Sequence, residues 1–416
     1  MVKRVLMIAF QYPPMRGSSG IQRTLKFSQY LPEFGWDPIV LTAHPRAYSH
    51  TSNDQLDGSS DQVAIHRAFA LDASRHLSFR RYYPGWLALP DRWISWWLGA
   101  VPMGLYLIRK YRPDVIWSTY PIATTHLIGL SLCRLTGLPW VADLRDPMTD
   151  LDYPPDPRIR RAHQWIEEKT VNYCKRAVLT TPGAIDDYKT RFPRVSPSRF
   201  HLIENGYDEE SFAEAGIRMV KKQKTSRPFV LVHSGVIYPS ERDPSQFFEA
   251  LAVLSREGAI SATSLNVTLR ATGHDDYLRR MVDRYAIGDV VSLAPPIPYK
   301  EALSEMLAAD GLLILQASNC NNQIPAKLYE YLRARRPILA LTDPAGNTAC
   351  ALREAGIDTI APLDSRDVII RELLRFVGLA QRDEAPIALM EKILASSRRS
   401  RTRELATLLD SVTLES

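Results

Sequence analysis

Residues 323–341 read QIPAKLYEYLRARRPILAL. Pro325 suits the first turn of a helix, and Leu328 and Leu332 recur at the spacing of one buried helical face. Pro337 stops the helix, and a short apolar run follows it. The segment therefore predicts a helix followed by a buried strand, the repeating unit of an α/β fold.

Lys327 is the unusual residue of this helix, because a cation in the first turn faces the positive end of the helix dipole. A bound phosphate would reverse the sign of that interaction, since helix N-termini bind anions through free N–H groups. Glu330 lies on the same face one turn later, with two oxygens for a pair of vicinal hydroxyls. Phosphate next to ribose indicates a nucleotide. The alternative is that both side chains are simply solvated on the outer face of an amphipathic helix.

The composition sets the scale of the molecule. A chain of 416 residues exceeds the length at which single cores usually stop growing, so we expect two large domains. The net charge of +6 is modest, and it does not indicate a nucleic-acid partner. The four cysteines form no C-x-x-C pair, which fits a reducing, cytoplasmic compartment and suggests neither a zinc site nor a disulfide framework. The apolar run at residues 3–10 is too short for a secretory signal and predicts a first strand.

Apolar strand candidates alternate with helical stretches along the whole chain, in one series that begins near Lys3 and a second that begins at Phe229. This alternation predicts largely parallel sheets. We expect a Rossmann-like N-terminal domain at residues 1–205, a second Rossmann-like domain at 206–390, and a C-terminal helix at 391–416 that packs back on the first domain.

The first strand leads into a loop that contains Gly17 and Gly20, and a helix follows. Glycines before a helix N-terminus let backbone N–H groups approach an anion closely. The spacing is neither a dinucleotide fingerprint nor a P-loop, and a plain tight turn explains it equally well. Both glycines are candidate donor-binding residues.

Residues 75–108 break the alternating pattern. Arginines are interleaved with Tyr and Trp, a mixture typical of bilayer interfaces, and residues 94–108 are uncharged. The uncharged run is shorter than the roughly 18 residues that indicate a membrane span. We expect peripheral membrane contact or a lipid-acceptor groove here, and the alternative is an aromatic-rich core helix.

The order of these segments resembles the glycosyltransferases of the GT-B fold, specifically the large retaining family four (group one). The resemblance covers nearly the whole chain and rests on Gln11-Tyr12-Pro13-Pro14 with Gly17 and Gly20, Ser118-Thr119-Tyr120-Pro121 with His126, Val141-Ala142-Asp143-Leu144-Arg145-Asp146-Pro147, Glu204-Asn205-Gly206-Tyr207-Asp208, His233-Ser234-Gly235 with Arg242-Asp243-Pro244, and the Lys327/Glu330 helix. It implies two Rossmann-like α/β domains facing across a cleft, the first binding the acceptor and the second binding the nucleotide sugar.

The resemblance also implies a donor site in the second domain. Gly235 and Arg242 match positions that hold the donor diphosphate, Lys327 would be the other cation, and Glu330 matches the ribose-binding glutamate. Negative charge accumulates on the departing diphosphate, so fixed cations stabilise the transition state more than the ground state. Arg242 and Lys327 are therefore the expected leaving-group stabilisers.

Two positions depart from the family pattern. Val236 stands where relatives have an arginine that holds the diphosphate, and Asn322 stands at the first glutamate of the E-x7-E motif. Asn322 and Gln323 are expected to contact the donor sugar in place of a carboxylate.

On the acceptor side, Arg145 and Asp146 follow a predicted strand, where open α/β sheets place ligands. We expect Asp146 to orient or deprotonate the acceptor hydroxyl, and we expect Arg145, at a position where relatives often have a histidine, to bind the acceptor together with Tyr120. The alternative is an Arg–Asp surface pair. His126 is a further catalytic candidate, or a structural residue before an apolar helix.

The resemblance therefore implies a retaining glycosyltransferase that uses a nucleotide-diphosphate sugar, with a UDP-sugar favoured and GDP or TDP as alternatives, and no cofactor. The expected acceptor is a glycan or lipid-linked glycan of cell-surface polysaccharide assembly. The D-x-D at Asp150 and Asp152 is not interpreted as a metal site, because the rest of the chain resembles GT-B enzymes. The alternatives are a nucleotide-sugar epimerase of the same fold and a non-catalytic nucleotide-sugar-binding scaffold.

Overall fold

The computed structural model describes residues 2–16, 20–52, 63–78, 83–150, 153–217 and 227–415. Gly17 and Asp152 lie outside the described residues, as does part of the aromatic segment at residues 79–82. The chain falls into two compact units, Met1–Asn205 with Arg398–Ser416, and Gly206–Ser397.

The first unit is built on a seven-stranded sheet in the order β3-β2-β1-β4-β5-β6-β7 within the described residues. All of its ladders are parallel, and the strand order reverses between β1 and β4. The strands are β1 (Lys3–Ile8), β2 (Trp36–Ala43), β3 (Ala64–Ala68), β4 (Val115–Thr119), β5 (Trp140–Arg145), β6 (Arg176–Leu179) and β7 (Phe200–Leu202). The helices are α1 (Gly20–Tyr30), α2 (Ala73–His76), α3 (Ser95–Tyr111), α4 (Ala123–Thr136), α5 (Pro157–Tyr173), α6 (Pro182–Arg191) and the C-terminal α15 (Arg398–Leu414).

Helices cover both faces of this sheet, because successive residues of a strand point to opposite sides. In β1, Leu6 and Ile8 belong to the core under α3, α4 and α5, while Val5 and Met7 belong to the core under α1 and α15. Helix α15 buries Leu405 in that second core. The predicted α/β class and the return of the C-terminal helix to the first domain are confirmed. The packed helix begins at Arg398.

The second unit contains a six-stranded parallel sheet in the order β10-β9-β8-β11-β12-β13 within the described residues, and its order reverses between β8 and β11. The strands are β8 (Phe229–Ser234), β9 (Leu265–Arg270), β10 (Val291–Ala294), β11 (Gly311–Leu315), β12 (Ile338–Leu341) and β13 (Ile360–Ala361). The helices are α7 (Glu209–Ile217), α8 (Ser245–Arg256), α9 (Asp275–Tyr285), α10 (Tyr299–Ala308), α11 (Lys327–Ala334), α12 (Asn347–Glu354), α13 (Arg366–Gln381) and α14 (Met390–Ala395). Ligands of such sheets bind at the carboxyl ends of the strands beside the reversal.

The helix predicted at residues 323–341 is α11, which ends at Arg335 in a left-handed conformation. Its first residue is Lys327, and its N-cap, Ala326, makes no side-chain hydrogen bond. Before the helix, the side-chain amide of Asn321 donates to Asp343, and the backbone carbonyl of Asn321 accepts from the backbone N–H of Asn347.

A buried ion pair joins the central elements of the first unit. The guanidinium of Arg23 on α1 donates to both carboxylate oxygens of Asp143 on β5, each at 2.9 Å, and both side chains are essentially inaccessible. Arg23 also donates to the carbonyls of Ile203 and Glu204, and Thr119 donates to Asp143. Each guanidinium nitrogen of Arg23 and each carboxylate oxygen of Asp143 therefore has a hydrogen-bond partner, as a buried charge requires.

Removing one partner should leave a buried charge without compensation. We expect Arg23→Met to lower the free energy of unfolding of the first unit by about 3–5 kcal/mol. All eight tryptophans lie between residues 36 and 165, so tryptophan fluorescence during urea denaturation reports on this unit alone.

The matched control is Arg399→Met on α15, which removes a solvent-exposed pair with Glu33. We expect it to change the same transition by less than about 1 kcal/mol. Equal effects of the two substitutions would contradict the structural importance of the buried pair.

Candidate functional site

The second unit gathers three of the predicted donor-site residues at the carboxyl end of β8. The amino group of Lys327 lies 3.0 Å from Nε2 of His233. A Cβ on Gly235 would lie 3.0 Å from the same amino group, so the absence of a side chain leaves room for the lysine. Gly235 also has a φ of 117°, in the left-handed region that favours glycine.

His233 fixes the position of the Lys327 amino group. Its ring is completely buried, and Nδ1 donates to the carbonyl of Leu313 at 2.9 Å. Burial and the neighbouring Lys327 charge hold the pKa of His233 well below its usual range, so the ring is neutral. Because Nδ1 carries the proton, Nε2 presents a lone pair to the lysine.

Lys327 itself is a titratable cation. Burial, together with the nearby charge of Arg242, lowers its pKa to about 7, and Glu330 opposes this shift. Arg242 donates from Nη1 to the carbonyl of Val236 at 2.7 Å. Two basic side chains thus lie near enough to repel each other, and a bound anion would offset that repulsion.

The carboxylate of Glu330 is held by an aromatic hydroxyl. Tyr299, the first residue of α10, donates to Oε1 of Glu330 at 2.7 Å. Tyr331, the next residue, accepts a hydrogen bond from the backbone of Ser234 at 3.0 Å and so ties α11 to the end of β8. Tyr299 and His233 were not predicted as site residues, because their contacts join residues that are far apart in the sequence.

Hydrogen bonds from neighbouring elements hold the loop before α11. The carbonyl of Gln323 accepts hydrogen bonds from Gln316 and Thr348, while the side chains of Asn322 and Gln323 are exposed. Val236, at the position of the missing family arginine, packs with Cγ1 3.2 Å from the place of a Cβ on Gly273. Its side chain therefore points toward the loop after β9.

A cavity of about 520 Å³ adjoins this loop. Gly273, His274, Tyr277 and Pro296 contribute to its lining, at the carboxyl ends of β9 and β10. The ring of His274 lies 6.1 Å from that of Tyr238, in the loop that follows Gly235. His274 therefore links the lining of the cavity to the loop that follows Gly235.

The first unit brings a different set of predicted residues together. Arg145 ends β5 with a φ of 65°, and its Nη1 donates to the carbonyl of Tyr120 at 3.2 Å. A Cβ on Gly20 would lie 2.6 Å from Nη1 of Arg145 and 2.1 Å from Oε1 of Gln11, so both side chains pack closely over the first residue of α1 and would have to move if it carried a side chain. Asp146 is exposed, and Oδ1 lies 3.2 Å from the hydroxyl of Thr180.

Two residues predicted for this region are directed into the protein. Tyr120 is 6% exposed, and its ring stacks on His126 at 6.4 Å; it contributes its carbonyl to Arg145 rather than an exposed side chain. His126 is completely buried, with Nδ1 2.8 Å from the hydroxyl of Ser118, and burial lowers its pKa to about 4. These surroundings favour the structural interpretation of His126 over the catalytic one.

No group of His, Cys, Asp or Glu side chains within the described ranges is arranged to hold a metal ion. No helix within the described parts of the chain is long and apolar enough to cross a membrane.

A family of known proteins matches the first unit of the chain. Residues 20–206 match the family described as a glycosyl transferase 4-like domain. No curated protein sequence matches the chain.

Solved structures resemble the whole chain. An alpha,alpha-trehalose-phosphate synthase (UDP-forming) from Burkholderia xenovorans, in complex with glucose-6-phosphate, is 13% identical, with a TM-score of 0.64 over 98% of this chain and 100% of that one. WaaG, a glycosyltransferase involved in lipopolysaccharide biosynthesis, is 15% identical, with a TM-score of 0.55 over 99% and 98%. The UDP-GlcNAc 2-epimerase from Neisseria meningitidis, bound to UDP-GlcNAc, is 11% identical, with a TM-score of 0.57 over 98% and 100%. At these identities the similarity establishes the fold.

The lysine pKa makes anion binding to the second unit dependent on pH. Sulfate keeps its charge across the neutral range, so any titration belongs to the protein. We expect sulfate affinity to be greatest below pH 7 and to fall as pH rises through the Lys327 pKa of about 7, because the charged lysine binds the anion. At pH 8.5 the affinity should be about thirtyfold lower than at acidic pH if only the charged form binds.

Thermal unfolding at a series of sulfate concentrations and pH values measures this dependence. Lys327→Arg, whose side chain stays charged, should retain binding without the pH dependence, and Lys327→Met should remove binding. A pH dependence that persists in Lys327→Arg would assign the titration to another group.

Proposed function

From a chain whose residues 20–206 form a glycosyl transferase 4-like domain and whose two units have the GT-B fold, we propose a glycosyltransferase that moves a sugar from a nucleotide-diphosphate donor to an acceptor hydroxyl. The acceptor is a glycan or lipid-linked glycan in cell-surface polysaccharide assembly. The involvement of WaaG in lipopolysaccharide biosynthesis supports this acceptor class.

The observation that carries the proposal is the cation cluster at the carboxyl end of β8. Lys327 and Arg242 lie beside a glycine that leaves the space above the strand open, and Lys327 is oriented by a buried neutral histidine. The distal phosphate of a diphosphate bound here would gain a second negative charge as the anomeric bond breaks, which brings the diphosphate from two negative charges to three. Cations already in place stabilise that charge without reorganisation, which lowers the barrier to transfer.

The rest of the nucleotide has room in the same unit. Glu330, positioned by Tyr299, binds the ribose hydroxyls, and the cavity beside Gly273 and Pro296 holds the base. A UDP-sugar is the favoured donor, because one structural relative is a UDP-forming synthase and another is bound to UDP-GlcNAc. Asn322 and Gln323, exposed before α11, contact the donor sugar.

The first unit binds the acceptor. Asp146, exposed at the end of β5, orients or deprotonates the acceptor hydroxyl, and Arg145 binds the acceptor beside α1. The family resemblance supports retention of the anomeric configuration, with front-face attack in which the departing phosphate helps to deprotonate the acceptor. No metal ion or other cofactor takes part.

Two alternative functions have specific observations in their favour. The similarity to a UDP-GlcNAc 2-epimerase over the whole chain favours an epimerase, which has no separate acceptor. Val236 and Asn322, which depart from the glycosyltransferase pattern, favour a non-catalytic nucleotide-sugar-binding scaffold.

The donor site can be tested by nucleotide binding to the second unit. We expect UDP to raise the apparent melting temperature of the protein, and we expect Lys327→Ala and Glu330→Ala each to weaken UDP binding by about 1–3 kcal/mol, the range for charged hydrogen bonds. GDP and TDP, titrated in parallel, identify the base.

Lys392→Ala is the matched control, because it removes a lysine paired with Glu354 on the surface of the same unit. It should leave UDP affinity unchanged. Unchanged affinity in both the Lys327 and the Glu330 variants would remove the donor site from this part of the molecule.

Transfer and its alternatives differ in when nucleotide is released. With a UDP-sugar and a membrane extract as a source of acceptors, a transferase releases UDP only when the extract is present. An epimerase interconverts free sugar nucleotides without it, which proton NMR detects.

We expect Asp146→Asn to reduce acceptor-dependent UDP release at least tenfold while UDP binding is retained, since the lost carboxylate acts on the acceptor hydroxyl. Asp156→Asn, which alters the helix cap of α5, is the control. Full turnover in Asp146→Asn would leave that residue a structural role.

A further inference from the structure

The loop that carries Asp146 is exposed at that residue and buried directly after it. Asp146 follows the last residue of β5, and its side chain is exposed. Met148 and Thr149, two and three residues later, are buried. The polar groups of a buried loop segment need hydrogen-bond partners. The partners of Met148 and Thr149 therefore determine where the loop places the exposed carboxylate.

Glu167 on α5 supplies these partners. Its side chain is 1% exposed. Oε1 accepts a hydrogen bond from the backbone N–H of Met148 at 3.0 Å, and Oε2 accepts one from the hydroxyl of Thr149 at 2.7 Å. One carboxylate therefore binds two consecutive residues of the loop, the first through its backbone and the second through its side chain.

Two residues of α6 complete the hydrogen bonding of this carboxylate. Tyr188 donates its hydroxyl to Oε1, and Arg191 donates from Nη2 to Oε2. Burial and the adjacent Glu167 charge hold the pKa of Tyr188 well above its usual value, so its hydroxyl keeps its proton. Arg191 also donates to the hydroxyl of Thr149 at 2.7 Å. Each carboxylate oxygen of Glu167 thus has two donors, which compensate for the burial of its charge.

His163 lies one turn before Glu167 on the same face of α5. Its ring is buried, with Nδ1 3.4 Å from the carbonyl oxygen of Met148 and Nε2 3.2 Å from that of Pro90. Helix α5 therefore contacts Met148 at both its N–H and its carbonyl. Through Pro90, the same helix also contacts the segment that precedes α3.

The residues before Met148 are held by a different part of the first unit. The backbone N–H of Thr180, which follows β6, donates to the carbonyl of Arg145 at 2.9 Å, and its hydroxyl lies 3.2 Å from Oδ1 of Asp146. The N–H of Asp146 donates to the carbonyl of Leu144 at 2.8 Å. These contacts fix the loop up to Asp146, and Glu167 fixes it beyond Asp146.

We propose that Glu167 is a positioning residue for sugar transfer, because it holds the loop that carries Asp146. This role rests on the proposed function, in which the Asp146 carboxylate acts on the acceptor hydroxyl. A displacement of a reacting group by about 1 Å can lower a rate about a hundredfold. Glu167 is buried and does not touch substrate, so its effect passes through Met148 and Thr149.

Turnover in the assay with a UDP-sugar and membrane extract tests this role. We expect Glu167→Gln to lower the apparent kcat for extract-dependent UDP release about tenfold with the KM for the UDP-sugar unchanged, because an amide accepts hydrogen bonds only at its oxygen. Thr149→Val should have a similar effect, while Thr149→Ser, which keeps the hydroxyl, should retain turnover. In both impaired variants, hydrogen exchange should be faster in the peptide that spans residues 144–150.

Thr170→Val is the matched control, because Thr170 is buried on α5 and its hydroxyl has no hydrogen-bond partner among the residues that the structure describes. It should leave turnover and hydrogen exchange unchanged. Urea denaturation followed by tryptophan fluorescence verifies that each variant is folded under the assay conditions.

The Asp146→Asn background separates positioning from a general structural effect. If Glu167 acts through Asp146, adding Glu167→Gln to Asp146→Asn should lower turnover by no more than about twofold, because the two losses are then not additive. A further tenfold loss in that background would overturn the positioning role alone, as would normal turnover of both Glu167→Gln and Thr149→Val. Full turnover of Asp146→Asn would overturn the role of Asp146 together with that of Glu167. Absence of extract-dependent UDP release from the unaltered protein would overturn the proposed function itself.

Discussion

The cation cluster of the second unit depends on one lysine, which lies where a positive charge is electrostatically unfavourable. Lys327 is the first residue of α11, so it meets the positive end of the helix dipole, and Arg242 adds a second positive charge nearby. What holds the amino group there is the lone pair of His233, whose proton is committed to the carbonyl of Leu313. Gly235 has a φ of 117°, which favours glycine, and its lack of a Cβ leaves room for the lysine amino group. The repulsion between these positive charges destabilises the empty site, and a bound anion would relieve it.

The parallel sheets explain where such features occur. In each unit the strand order reverses once, between β1 and β4 in the first and between β8 and β11 in the second. The helices on the two sides of a reversal leave in opposite directions, which opens space above the strand ends. Gly235 and His233 stand at the second reversal, and Gly20 with Arg145 stands near the first. In both places a glycine makes room for a basic side chain.

Sequence periodicity was sufficient for the fold, because buried strands and amphipathic helices leave regular patterns. Electrostatics identified Lys327, since a cation in a first helical turn is unusual in any fold. The direction in which a side chain points could not be predicted. Nothing in the sequence distinguishes a tyrosine that faces solvent from Tyr120, whose ring is buried against His126. The contact between Tyr299 and Glu330 was equally hidden, because it exists only once α10 and α11 pack side by side.

Val236 affects the electrostatics of the proposed donor site in a way that favours the charged form of Lys327. An arginine at that position would add a permanent charge to the one that Arg242 already supplies, and the charge of Arg242 adds to the effect of burial in lowering the lysine pKa. A third cation would lower it further, and Lys327 would then be neutral over more of the physiological range. Valine instead packs toward Gly273 and leaves the lysine easier to charge. With valine at this position, the site lacks the permanent charge of an arginine. Lys327 can supply a positive charge instead, because a bound anion raises its pKa and favours its protonation.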